Sequence, residues 1–186
     1  MTSIKINKDM DNKKLKYYFY EIYRVWGRRK NINVNTIFKY DYKSLLERFV
    51  VSILAFIFVS GVLFYSGINV VTAICYAIII LVNVLVFLSI KRVNDSLKQN
   101  KKYKGKRSLI LDNKTLTSTI ENNTKMSIEW TYIDYLLIGP YSMTFIPTNP
   151  DYNPISLPIE YKEELLESIT KEKNDLTIYD CSRMNK

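Results

Sequence analysis

Few residues in this chain are equipped for chemistry. It contains no histidine and two cysteines, Cys75 and Cys181. Without an imidazole there is no Ser-His or Cys-His pair and no His-ligated metal site. Cys75 lies in an apolar run and Cys181 near the C-terminus, a placement that does not suit a disulfide; two free thiols fit a reducing cytoplasm. A tail thiol without electropositive surroundings is inert. Glu129 and Asp134 would be the carboxylate pair for acid–base work, but they read as solvent-facing strand positions. Glu160, Glu163, Glu164 and Glu167 fall in the first turns of a helix, where the helix dipole favours negative charge. The five glycines form no phosphate-binding loop. Asn113 and Asn122 begin Asn-Xaa-Thr sequons, which matter only in a lumenal protein. The expectation is a protein without catalytic residues, cofactor or metal.

The elements that must position these residues are segregated by polarity. From Phe49 to Ile90 there is no Lys, Arg, Asp or Glu. The stretch divides into Phe49–Tyr65 and Val70–Ile90 around Ser66-Gly67-Ile68-Asn69. At about 1.5 Å rise per residue, each run approaches the roughly 30 Å needed to cross a bilayer core. A transmembrane helical hairpin is predicted. Ser52, Ala55, Ser60 and Gly61 are small enough for close helix contact, within the hairpin or with a second copy of the chain. Thr72, Tyr76 and Asn83 fall near one face of the second helix and are candidate helix-packing or partner contacts. Asn83 is read first as a single interhelical hydrogen bond. The absence of intramembrane charge argues against an ion pathway.

Charge follows the same segregation. Residues 1–48 hold 12 Lys/Arg against 5 Asp/Glu, residues 91–104 hold 6 against 1, and residues 105–186 hold 9 against 12. The cations therefore flank the hairpin and are not concentrated on the C-terminal unit, which fits membrane topology better than nucleic-acid binding. Lys43 and Arg48 precede the first run; Lys91 and Arg92 follow the second. The positive-inside rule puts both termini in the cytoplasm of a bacterial cell and Ser66–Asn69 at the outer face. Membrane lipids are the first expected partner.

Five segments result: a basic aromatic segment (1–48), the hairpin (49–90), a basic connector (91–107) ending at Gly105, a β-rich domain (108–175) and a tail (176–186). Residues 1–12 read as polar and loose. Over 13–30, Leu15, Tyr18, Phe19, Ile22, Val25 and Trp26 recur at helical spacing, for a helix lying on the membrane or packing on the C-terminal domain. Tyr40 and Tyr42 suit headgroup depth. From Ser108 the period falls to two. Six short strands punctuated by Asn113-Lys114, Asn122-Asn123, Gly139-Pro140 and 148–154 precede a helix over 159–171. The fold class is α+β: the hairpin, then a small antiparallel sheet or partial barrel capped by a C-terminal helix. Ile128, Trp130, Ile133, Leu165 and Ile169 are the expected core, with Trp130 on the same strand face as Ile128.

The motifs are Leu109-Ile110-Leu111, Thr115-Leu116-Thr117, Ser127-Ile128-Glu129-Trp130, Ile133, Met143-Thr144-Phe145-Ile146-Pro147 and a final Leu-Leu helix. With the preceding hairpin, they resemble the YcxB-like proteins of Gram-positive bacteria over roughly residues 50–172. The resemblance implies a pleckstrin-homology-like domain and no catalytic residues. The functional expectation is a non-enzymatic inner-membrane protein whose cytoplasmic domain binds a partner protein. The alternative is an immunity protein that neutralises a membrane-active toxin or bacteriocin.

Overall fold

The first strand lies ahead of the apolar hairpin. Thr2–Ile6 (β1) is followed by the helix Asn12–Gly27 (α1) and by two long helices, Tyr42–Ser66 (α2) and Val70–Lys102 (α3). Arg107–Leu111 (β2), Thr115–Ile120 (β3) and Thr124–Glu129 (β4) come next. A 3₁₀ turn, Trp130–Tyr132, leads into Ile133–Ile138 (β5), Ser142–Pro147 (β6) and Ile155–Pro158 (β7). A second 3₁₀ turn opens Lys162–Glu172 (α4), and Thr177–Asp180 (β8) follows. The computed structural model describes residues 2–6, 11–39, 41–67, 69–102, 107–120, 124–173 and 175–183. Tyr40, Gly105 and the Asn122-Asn123 turn lie outside them. The chain is α+β.

The strands form two sheets. One is antiparallel in the order β1-β2-β3-β4; the other runs β7-β6-β5-β8. In the first, Ile4 pairs with Leu109 and Thr2 with Leu111. In the second, β8 lies parallel to β5, with Leu136 opposite Ile178. The expectation of one small antiparallel sheet or partial barrel is corrected: there are two sheets, one of them mixed, and no closed barrel among the described residues. The Trp130–Tyr132 turn takes the chain from β4 in one sheet to β5 in the other. Two segments read as loose or tail supply strands. β1 hides in polar composition, and β8 is exposed along its whole length.

One core lies between the sheets. Ile4, Leu109, Leu111, Leu116 and Ile128 contribute from the first. Ile133, Leu136, Ile138, Met143, Phe145, Ile155 and Leu157 contribute from the second, and Tyr161, Leu165 and Ile169 close it from α4 and the turn before it. Trp130 is buried there, but it opens the 3₁₀ turn and so does not share a strand face with Ile128. Its Nε1 donates to the Asp112 carbonyl at 2.6 Å and its ring meets Phe145 edge-on. That bond satisfies the indole N–H, as a buried polar group requires.

β6 is buried along its entire length because the second sheet is covered on both faces. On the side away from the main core, Leu137 and Ile146 pack with Val25 of α1, Ile37, Phe38 and Cys181. A strand covered on both faces loses the apolar–polar alternation of a half-exposed one.

The long helices are paired by their ends. Asp41 caps α2 through a bond from the Ser44 N–H at 2.8 Å. Gly67, at φ 73°, ends α2 in the left-handed region open to glycine, its N–H bonding the Leu63 carbonyl. Asn69 and Thr72 then exchange backbone-to-side-chain bonds of 2.9 and 3.1 Å, starting α3. With 25 and 33 residues, the helices are about 37 and 50 Å long. Both are long and apolar enough to cross a membrane, and neither apolar window is buried within the protein.

Candidate functional site

The best-built polar constellation lies where α1 joins the hairpin to the second sheet. α1 follows the periodicity of Leu15, Tyr18, Phe19, Ile22 and Val25, and it uses two faces. Tyr18, Phe19 and Ile22 meet Tyr42 of α2 and Val93 and Leu97 of α3. Val25 and Glu21 turn to the sheet. The Tyr18 hydroxyl donates to the Ser156 carbonyl at 3.2 Å, and Tyr23 bonds Ser96 of α3. Tyr17 stacks on Tyr141 with centroids 4.7 Å apart and meets Tyr42 edge-on at 6.0 Å. Of the two sequence readings for this helix, the structure shows packing on the C-terminal domain.

Glu21 is the centre of the junction and is 4% exposed. Its Oε2 accepts from the Ser142 hydroxyl at 2.8 Å and the Tyr141 N–H at 3.0 Å. Burial pushes its carboxyl up to about 7, against the opposing pull of those bonds and of Arg24. The β5–β6 turn fits closely around it. A Cβ on Gly139 would lie 2.5 Å from the Phe38 ring and 2.8 Å from the Glu21 carboxylate. Burial also raises the hydroxyls of Tyr20 and Tyr141 and lowers Arg24.

The residues singled out from sequence do not gather into one site. Lys43 and Arg48 are exposed on the first turns of α2, with Lys43 3.7 Å from Glu47; Lys91 and Arg92 are exposed on α3. Thr72 is committed to the turn with Asn69. Tyr76 stacks across the hairpin on Phe56, centroids 5.0 Å apart, beside a groove lined by Ser60, Leu63, Phe64, Ala73, Ala77 and Ile80. Asn83 was expected to bond across to the other helix; instead its Nδ2 donates to Ile79, one turn back on α3, at 2.9 Å. Its Oδ1 is buried without a hydrogen-bond partner. Gly61 faces open space, away from the α2–α3 contact. Ile128, Trp130, Ile133, Leu165 and Ile169 meet in the main core.

Sequence reasoning missed Glu21, Tyr141 and Ser142. A lone acid inside the apolar stripe of α1, one position before Ile22, was the available signal. Cys181, read as a tail thiol, is buried against the second sheet 3.7 Å from the Val34 carbonyl, and burial raises it. Among the described residues no three Cys, Asp or Glu side chains form a metal-binding group.

Away from the junction, Tyr132 and Tyr152 form an exposed pair 6.4 Å apart at one end of the β5–β6 hairpin. Compared with protein-family models, curated proteins and solved structures, the chain matches none of them.

Proposed function

We propose that this chain is a bacterial inner-membrane protein of the YcxB-like type, crossing the bilayer through α2 and α3 with both termini cytoplasmic. Its two sheets and α4 act as a pleckstrin-homology-like module that binds a partner protein at the membrane surface and catalyses no reaction.

The observation that carries this reading is the β1–β2 ladder. β1 precedes the hairpin and β2 follows it, yet they are hydrogen-bonded neighbours. A ladder cannot straddle a bilayer, so its two strands share one side and the apolar helices between them cross an even number of times. The cations at Lys43, Arg48, Lys91 and Arg92 support the cytoplasm as that side, by the positive-inside rule. Two sheets around one core, closed by a helix, agree with the domain that the resemblance implies. Tyr132 and Tyr152 offer exposed aromatic surface of the kind that anchors protein partners.

Crosslinking and pulldown from native membranes test the reading. A specific protein should co-purify with the wild-type chain and be lost from Tyr132→Ala/Tyr152→Ala. Gly67→Cys should react with an impermeant thiol reagent applied to intact cells. Reaction only after permeabilisation overturns the topology; a pulldown with no specific protein overturns partner binding.

A further inference from the structure

α1 joins the two parts of the chain, and a different stripe of it faces each. Tyr17, Glu21 and Val25 recur every four residues along one side of the helix. All three meet the second sheet or its β5–β6 turn. Tyr17 stacks on Tyr141, Glu21 accepts from Tyr141 and Ser142, and Val25 packs with Leu137 and Ile146. The other stripe faces the long helices: Phe19 and Ile22 pack with Tyr42, Val93 and Leu97, and Tyr23 bonds Ser96. That contact is apolar apart from one pair of hydroxyls. The contact with the sheet is built around a carboxyl.

Glu21 has no counter-ion: no Lys or Arg of the described residues forms an ion pair with it. Both of its hydrogen bonds, from the Ser142 hydroxyl and the Tyr141 N–H, end on the same oxygen, Oε2. Arg24, one turn further along α1, pulls on it while its own Nη2 donates to the Thr36 carbonyl at 3.4 Å. The other groups at the contact are neutral or acidic. The sheet supplies Tyr141 and Ser142, the segment after α1 supplies Phe38, and the tail supplies Cys181. α2 supplies Tyr42 and the capping Asp41; α3 supplies Val93, Ser96 and Leu97. Near the start of α1, Lys14 lies 3.8 Å from Glu160, with Lys14 60% exposed; a pair so exposed contributes little. An ionised Glu21 is therefore a buried charge without a cation, and that is costly where the neutral acid is not. Burial accordingly pushes the carboxyl up to about 7.

We propose that α1 is a pH-sensitive clasp: with a proton on Glu21 it is seated on both the long helices and the second sheet, and loss of that proton frees it from the sheet while it stays on the helices. The sign follows from where the charge is costly. Once undocked, Glu21 meets water and ionises as an ordinary carboxyl, so docking takes up a proton. Acid closes the clasp and alkali opens it, uncovering the face of Leu137 and Ile146 on which Val25 sits. The main core contains no residue of α1 and keeps its packing. The device rests on the fold alone and holds whether or not the hairpin crosses a bilayer.

The test uses the full chain purified in detergent and amide hydrogen exchange at about pH 6 and pH 8, corrected for the base catalysis of exchange itself. The Tyr141 amide, which donates to Glu21, reports the clasp; amides of β2, β3 and α3 report the rest. From the lower pH to the higher, the Tyr141 amide should lose about tenfold in protection. That is the change in docking for a carboxyl that titrates at about 7 when seated and 4.5 when free. β2, β3 and α3 should keep their protection. Glu21→Gln does not ionise and should show no such loss. Ser142→Ala removes a donor that favours the charged form, and should deepen the loss and carry it to higher pH. An unchanged pH dependence in Glu21→Gln overturns the clasp, as does a loss shared by β2, β3 and α3, or a Ser142→Ala chain weakened equally at both pH values. Where Glu21→Gln fails to fold, a carbon-13 titration of the wild-type Glu21 carboxyl decides: a midpoint at about 7 upholds the clasp, and one at 4.5 overturns it.

Discussion

Glu21 ties α1 to the second sheet, and its proton makes that tie pH-dependent. The carboxyl sits at about 7 in the fold against 4.5 for the unperturbed group. The folded state therefore holds the proton more tightly than the unfolded chain. The stability linked to it is complete below about pH 4.5 and is lost as pH rises through about 7, amounting to roughly 3 kcal/mol. Glu21→Gln keeps an acceptor for Ser142 and Tyr141 without the titration, so the difference in melting temperature between pH 5 and pH 8 should shrink. Trp130 makes a pH-independent contribution. Trp130→Ala removes a buried indole and its bond to Asp112, and should cost about 3–5 kcal/mol in denaturant titration. The two residues were unequally legible from sequence. Trp130 announced itself as a large aromatic ahead of an apolar strand. Glu21 did not, because an acid on a helix is usually solvated, and only the tertiary contact with Ser142 explains its burial.

Among the elements, α1 and the β5–β6 hairpin depend on each other's shape. Gly139→Ala would drive a methyl group into the Phe38 ring and the Glu21 carboxylate. It should cost about 1–3 kcal/mol and speed amide exchange in α1 more than in β2 or β3. The apolar helices and six of the strands were readable because their patterns are local: uncharged runs for α2 and α3, alternation and turn residues for β2 to β7. β1 and β8 were not readable. Of β1, Ile4 is buried while Ser3 and Lys5 are exposed, too little for a periodic signal. β8 is recruited by the edge of β5, so its pairing is decided by a partner far away in sequence. The change of sheet was equally hidden, since the one-residue break at Thr131 between two strand-like runs gives no sign that they enter different sheets.

On the scale of the molecule, the β-rich unit is discontinuous: α1, α2 and α3 are inserted between its first two strands. A fragment of residues 107–183 would expose the edge of β2 and uncover Leu109 and Leu111, which β1 and the rest of the core enclose. It should elute as aggregate on size exclusion, and the same fragment with residues 2–6 linked ahead of it should elute as a folded monomer. The insertion also sets a timetable for biosynthesis. β1 leaves the ribosome long before β2 exists, and at ordinary elongation speeds the gap is roughly 5–20 s. Throughout that interval the nascent strand must wait unpaired while α1 and both long apolar helices are made. Completion of the first sheet thus waits on the synthesis of both long helices, and a chain that stalls within them keeps a bare strand edge open to cellular quality control.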